Sequence, residues 1–314
     1  MQIKELDTQN GVLQFEIRGE DVIVTGYRGK DISVTVPTEV ENKAVTIIGK
    51  KAFLGCKDLQ ELILPETIKE IQEWAFACCS HLEKITLPRK KIIIGQGILK
   101  DCHKLQQICL TNGVAQTDIR ENLKKNDSEQ DVSFLLAATM NKLDAFYLFD
   151  LLTAGTKDWM EQWDARMLFL MEQEDMEGYS KMLLCGEEDY GSKENNLDYY
   201  TEQRRRAKVR LAMLRLFHDT GLTQENRKKL LEYIQSHKKG ETSEETWKVV
   251  LEEHGDEKEY YQFLIDTDCI TQENFDAMLE DMGDYHTEMK AFLMNYQSTN
   301  LEKDDIFASL EFEL

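Results

Sequence analysis

Between Ile48 and Thr111 the chain repeats itself at a constant period, without a slip. IGKKAFLGCKDLQELILPETIKE is followed by IQEWAFACCSHLEKITLPRKKII and then by IGQGILKDCHKLQQICLT. Ile48, Ile71 and Ile94 match, as do Cys56, Cys79 and Cys102, then Leu59, Leu82 and Leu105. Leu62, Ile85 and Ile108 continue the agreement, and so do Leu64, Leu87 and Leu110. A constant period carried by apolar residues means that each unit stacks on the last and buries the same side chains, which describes a solenoid. Such a repeat implies a recognition surface; it names no ligand and no reaction.

Within each unit the segment L-x-x-L-x-L-P alternates and reads as a short strand, so the copies are expected to pair as a parallel ladder. The A-F-x-x-C segment (Ala52-Phe53, Ala75-Phe76) is expected to form a short helical or 3₁₀ turn on the other side. Alternation sends Leu62 and Leu64 inward. Glu61, Ile63, Lys84, Thr86, Gln107 and Cys109 should therefore face outward together as the candidate protein-binding face, unless the helical part of the chain packs there and covers it.

The pattern I-G-x-x-A-F-x-x-C-x-x-L-x-x-I-x-L-P resembles the BspA-type leucine-rich repeat of bacterial cell-surface proteins, over residues 20–111. The resemblance implies a leucine-rich solenoid and an adhesive, protein-binding role. The third copy departs from it, with Ile98-Leu99 in place of Ala-Phe and Thr111 in place of proline.

Residues 1–47 read as β: Leu13, Phe15 and Ile17 alternate, Gly19-Glu20-Asp21 turns, Val22 and Val24 resume, and Gly26 and Gly29 punctuate before Ile32, Val34 and Val36. This segment should cover the first coil, and Val34-Thr35-Val36-Pro37 already imitates Ile63-Leu64-Pro65, as a half-repeat would.

Charge divides the chain further on. Residues 1–125 carry 18 Lys+Arg against 17 Asp+Glu, and the remainder 20 against 42, although the whole chain is −21. A neutral first part and a strongly acidic second part argue against nucleic acid or an anionic membrane as partner. All three prolines (Pro37, Pro65, Pro88) lie in the first part, and a proline-free remainder favours helix. The expected organisation is a β cap and half-repeat at 1–47, BspA-like repeats at 48–111, a linker at 112–130 and an acidic α-helical repeat domain at 131–314. The fold class is thus α+β, a short leucine-rich-repeat solenoid with an N-terminal β cap followed by an all-α repeat domain.

In the second part Ser128-x-x-Asp131 reads as a capping box, with Val132, Leu136, Met140, Leu143, Tyr147 and Leu151 on one helical face. Gly155, Gly186, Gly221, Gly255 and Gly283 recur at comparable intervals, each long enough for a helix–turn–helix unit. SEETWKVVLEEHGDEKEYYQFLID aligns with TQENFDAMLEDMGDYHTEMKAFLMN, pairing Trp247 with Phe275 and Gly255 with Gly283. Thr223 and Thr271, each opening a TQEN, are expected N-caps. The unit length is similar to ankyrin repeats, but their T-P-L-H signature is absent. The acidic stretch 187–198 reads as a loop, and EKDDIFASLEFEL as a short helix or tail.

Candidates for chemistry each have a simpler reading. Cys56, Cys79 and Cys102, with Cys78, His81 and His103, are zinc-binding residue types, but the column follows the repeat and fits no closed zinc motif. Buried free thiols are expected, although a disulfide between stacked coils is geometrically conceivable. Gly95-Gln96-Gly97 lies where the repeat needs Ile-Gly and has no βαβ context. Arg204-Arg205-Arg206-Ala207-Lys208 leads into an amphipathic helix whose arginines should pair with nearby carboxylates. A cleft enzyme using scattered Asp, Glu or His is the least favoured reading.

The expectation is a non-catalytic protein–protein interaction module without cofactor or metal, its partner an unidentified protein. The alternative is a surface adhesin for host or matrix proteins. No apolar export segment or membrane-length run is seen and the seven cysteines fit a reducing home. The expected location is therefore cytoplasmic, or the cell surface if an export signal was removed.

Overall fold

The computed structural model describes residues 2–111, 127–185 and 196–301. Most of the expected linker, nearly all of the acidic loop and the segment 302–314 lie outside them. The chain divides into two compact units, Met1–Leu168 with His218–Gly221, and Phe169–Phe217 with Leu222–Leu314.

The first unit is built on a β-solenoid of four coils. Strands β4 (Ser33–Thr35), β7 (Glu61–Ile63), β9 (Lys84–Pro88) and β11 (Gln107–Thr111) form one parallel sheet in the order β11-β9-β7-β4. Its register repeats the sequence period: Leu62 pairs with Ile85 and Ile85 with Ile108. The expected half-repeat supplies a full rung, since Val34 pairs with Leu62. The step from Val34 to Leu62 is longer than the period that separates Leu62 from Ile85. The extra length is taken up by β5 (Glu39–Val40) and β6 (Lys43–Ile48), which form a hairpin within that coil. Glu41 and Asn42, both at positive φ, make its two-residue turn.

A second ladder, whose strands are too short to be read from the sequence, runs down the other side. In it β6, β8 (Glu70–Ile71) and β10 (Ile93–Ile94) pair in parallel, and Ile48, Ile71 and Ile94 form one row. The antiparallel strands β1 (Gln2–Asp7), β2 (Gly11–Arg18) and β3 (Asp21–Gly29) extend this sheet, with β3 parallel to β6. They cover the first coil as expected, although Gly26 sits inside β3, beside a bulge, and does not end the strand. Leu59, Leu82 and Leu105 line up as one buried column. Tyr27 stacks on Phe53 at a ring-centroid distance of 5.7 Å, Phe53 meets Phe76 in a tilted pair at 5.8 Å, and Leu99 follows at the next repeat position.

The A-F-x-x-C segments are turns, not helices. Lys51, Trp74 and Gly97 share a positive φ at the repeat period, and so do Gly55, Cys78 and Asp101. Left-handed residues four apart break any helix. The freed amides bond to the next coil instead: Phe53 N donates to Ala75 O at 2.7 Å and Phe76 N to Ile98 O at 3.0 Å. Gly95 is explained by the same stacking, because a Cβ there would lie 2.5 Å from Glu73 N.

Helix α1 (Asp127–Asn141), a 3₁₀ turn at Phe146–Leu148 and the start of α2 (Lys157–Glu172) complete this unit. Trp163 Nε1 donates to Leu135 O at 2.9 Å and Trp159 Nε1 to Leu148 O at 2.8 Å, which joins them. Ser128 lies inside α1 instead of capping it, and the helix ends at Asn141, leaving Tyr147 exposed. The Asp131 carboxylate accepts from Thr220 N, Thr220 Oγ1 and His218 Nδ1 at 3.0, 2.6 and 3.0 Å.

The second unit is helical: α3 (Tyr179–Cys185), α4 (Leu197–Phe217), α5 (Gln224–Gln235), α6 (Glu245–Glu253), α7 (Lys258–Asp266), α8 (Gln272–Met282) and α9 (Thr287–Tyr296). The aligned stretches are the helix pairs α6–α7 and α8–α9, with Trp247 and Phe275 both buried. Thr223 caps α5, accepting from Asn226 N at 3.2 Å, and Thr271 forms a capping box with Asn274. The basic run on α4 is ion-paired within the unit: Arg206 with Glu252 at 2.7 Å, Lys208 with Asp175 at 2.8 Å and Arg210 with Glu253 at 2.6 Å. No helix among the described residues is long and apolar enough to cross a membrane.

Candidate functional site

The four-stranded sheet has two outward rows, set by the pleat and the register. Ser33, Glu61, Lys84 and Gln107 form one; Thr35, Ile63, Thr86 and Cys109 form the other. The expected face draws three residues from each, and the rows have different fates.

Glu61, Lys84 and Gln107 keep partial access to solvent. Lys84 Nζ stands 3.3 Å from Glu61 Oε1 across adjacent strands, and Ser33 Oγ donates to Glu61 Oε2 at 3.2 Å. Directly opposed charges of this kind contribute a few tenths to about 1 kcal/mol, so the row is held more by the ladder than by its pairing.

Ile63, Thr86 and Cys109 are buried, at 5%, 0% and 5% exposure, which corrects the expectation that they face solvent. Thr35, on the edge strand farthest from β11, is exposed. Helix α1 packs against β11 and is the cause at that end of the row. Its Asn141 Nδ2 donates to Leu105 O at 2.8 Å. Burial pushes the Cys109 thiol up from its ordinary range. The Thr86 hydroxyl is buried and meets no hydrogen-bond partner among the described residues. A row of isoleucine, threonine and cysteine beside a row of charges is the signal in the sequence that this half of the face needs cover.

Between the polar row and α1 lies a cavity of about 300 Å³. Glu61, Lys84, Arg89 and Gln107 line it from the sheet, and Glu129, Gln130 and Ser133 from α1. Arg89 is held there by Nη1 donating to Ala154 O at 2.9 Å. Sequence reasoning missed Arg89 and the α1 residues, because only the return of the helix onto β11 brings them to the face. The arrangement offers a groove with both signs of charge on a rigid floor. It pairs no nucleophile with a base, and among the described residues no group of three or more His, Cys, Asp or Glu is placed to hold a metal ion.

Residues 33–144 match the family described as BspA type Leucine rich repeat region, in 6 copies, which agrees with the resemblance carried by the repeat residues. Among solved structures, the chain is similar to a T. pallidum leucine-rich repeat protein at 30% identity, over 33% of this chain and 49% of that one, with a TM-score of 0.31. A leucine-rich repeat protein from Bacteroides ovatus is 31% identical over 33% of this chain and 29% of that one, with a TM-score of 0.29. The chain spans about half, or less, of the length of these structures. Among curated proteins none matches.

Proposed function

We propose that this chain, which carries BspA-type leucine-rich repeats over residues 33–144, is a non-catalytic module that binds a protein partner along the groove between the polar strand row and α1. The observation that carries the reading is the row Ser33, Glu61, Lys84 and Gln107, held in register by four stacked strands and left accessible while the row beside it is covered. A fixed row of this kind presents side chains with little ordering cost on binding, which favours recognition. The reading places the chain in a reducing, cytoplasmic setting, supported by the free thiols of six of its seven cysteines.

The test is capture from the native lysate with a photo-crosslinker at Gln107, repeated with Lys84→Glu and with Glu61→Lys. The partner should crosslink at Gln107, and each single reversal should weaken capture several-fold. Capture unchanged by both reversals, with no crosslink from Gln107, would overturn the assignment of this face.

A further inference from the structure

The cysteine column is built more closely than the burial of a small side chain requires. Main-chain hydrogen bonds tie neighbouring coils just before it, with Phe53 N donating to Ala75 O at 2.7 Å and Gly55 N to Ala77 O at 2.9 Å. They draw Cys56 against Cys79. Cys79 Sγ donates to Phe53 O at 3.0 Å, and the same oxygen accepts Cys56 N at 3.3 Å. Cys56 is half-buried and Cys79 fully buried.

One coil on, Cys102 Sγ donates to Phe76 O at 3.2 Å in the same manner. Its thiol is pushed up to about 12 by burial and then by the charge of Cys79. Of the neighbouring pairs in this column, Cys56 with Cys79 is the one that solvent reaches, because Cys79 and Cys102 are both buried. Strands of adjacent coils lie about 4.8 Å apart, inside the roughly 4.4–6.8 Å Cα range that a disulfide spans.

We propose that Cys56 and Cys79 form an oxidisable pair that closes to a disulfide stapling two successive coils, with a peroxide as oxidant. Cys56 is the sulfur that solvent reaches. It attacks one oxygen of hydrogen peroxide, the O–O bond breaks, and a sulfenic acid and a water form. Cys79 then attacks the Cys56 sulfur, the S–O bond breaks, and a second water leaves as the disulfide forms. Two thiols and one peroxide thus give one disulfide and two waters, and each thiol proton ends in water.

The test uses the full reduced chain, treated with hydrogen peroxide, blocked with N-ethylmaleimide and digested with trypsin without reductant. Cleavage after Lys51, Lys57, Lys69 and Lys84 releases Cys56 in the peptide 52–57, and Cys78 with Cys79 in the peptide 70–84. These two peptides should appear joined, and dithiothreitol should part them. The link should survive Cys78→Ser and disappear in Cys56→Ser and Cys79→Ser. A link that persists in Cys79→Ser but not in Cys78→Ser would overturn the proposal. So would a Cys79–Cys102 link in its place, or oxygen addition at Cys78 with no link formed. Circular dichroism checks that the variants fold; should buried Cys79→Ser fail, the exposed Cys78→Ser still decides between Cys78 and Cys79 as the partner of Cys56.

Discussion

Phe53 is the place to test whether the solenoid is held by its columns. It is fully buried and its ring lies between Tyr27, stacked at 5.7 Å, and Phe76, tilted at 5.8 Å. Phe53→Ala removes a whole ring from a site whose walls are tied by inter-coil hydrogen bonds and cannot collapse. The cost expected is about 3–5 kcal/mol, of which the two aromatic pairs account for about 0.5–1.5 kcal/mol each. Phe53→Leu should behave differently. The chain places Leu99 at the equivalent position two repeats later, still buried, so this coil geometry already accepts leucine. A swap that keeps most of the volume should cost about 1–1.5 kcal/mol. Urea unfolding followed by circular dichroism measures both variants. Because the chain divides into two compact units, hydrogen exchange of peptides within 43–111 should be read alongside it to localise the loss. Equal costs for the two variants, or a loss below about 1 kcal/mol for Phe53→Ala, would refute the idea that stacked columns carry the stability of this unit.

Other expectations can be checked in the same way. Thr86→Val exchanges a buried hydroxyl that has no partner among the described residues for a methyl group of the same shape, and should stabilise by about 1 kcal/mol in urea unfolding; a loss of stability would show that the hydroxyl is satisfied. Gly95→Ala forces a Cβ to 2.5 Å from Glu73 N, a backbone atom that cannot swing away, and should cost at least about 1–3 kcal/mol by thermal unfolding. Burial pushes the Asp131 carboxyl up, but hydrogen bonds from His218 and Thr220 outweigh it and hold it below the usual carboxylate range. A carboxylate depressed in the folded state stabilises above its unfolded pKa of about 3.9 and loses that contribution as pH falls through the folded value. The deficit of Asp131→Asn at neutral pH should therefore shrink toward zero in acid, as read by urea midpoints across pH.

What the sequence disclosed about this fold, and what it hid, follows from how each feature is encoded. A translation by one repeat carries every interior column from one coil to the next, so Leu59, Leu82 and Leu105 declare their stacking by recurrence alone. The turn segments read as helical because their left-handed positions are mostly not glycine. In one column only Gly97 is, in the other only Gly55, while Lys51, Trp74, Cys78 and Asp101 adopt the same conformation without announcing it. Inter-coil hydrogen bonds impose that backbone, and no local propensity reports it.

The candidate face shows the same division between local and distant causes. Its pleat and its Glu61–Lys84 pairing follow from alternation and the repeat, so both are legible. Its cover is not, since α1 begins beyond the last repeat and nothing within the period encodes where it lands. Yet α1 meets this row at its β11 end, and Ile63, Thr86 and Cys109 are all buried, whereas the row left open is Glu61, Lys84 and Gln107. An outward row that is apolar in all but one hydroxyl is costly to hydrate, and a later amphipathic helix is the means at hand for covering it. The composition of the two rows thus separates the part of the sheet that belongs to the core from the part free to meet a partner, and that separation makes the single reversals at Glu61 and Lys84 informative, because neither perturbs the buried row.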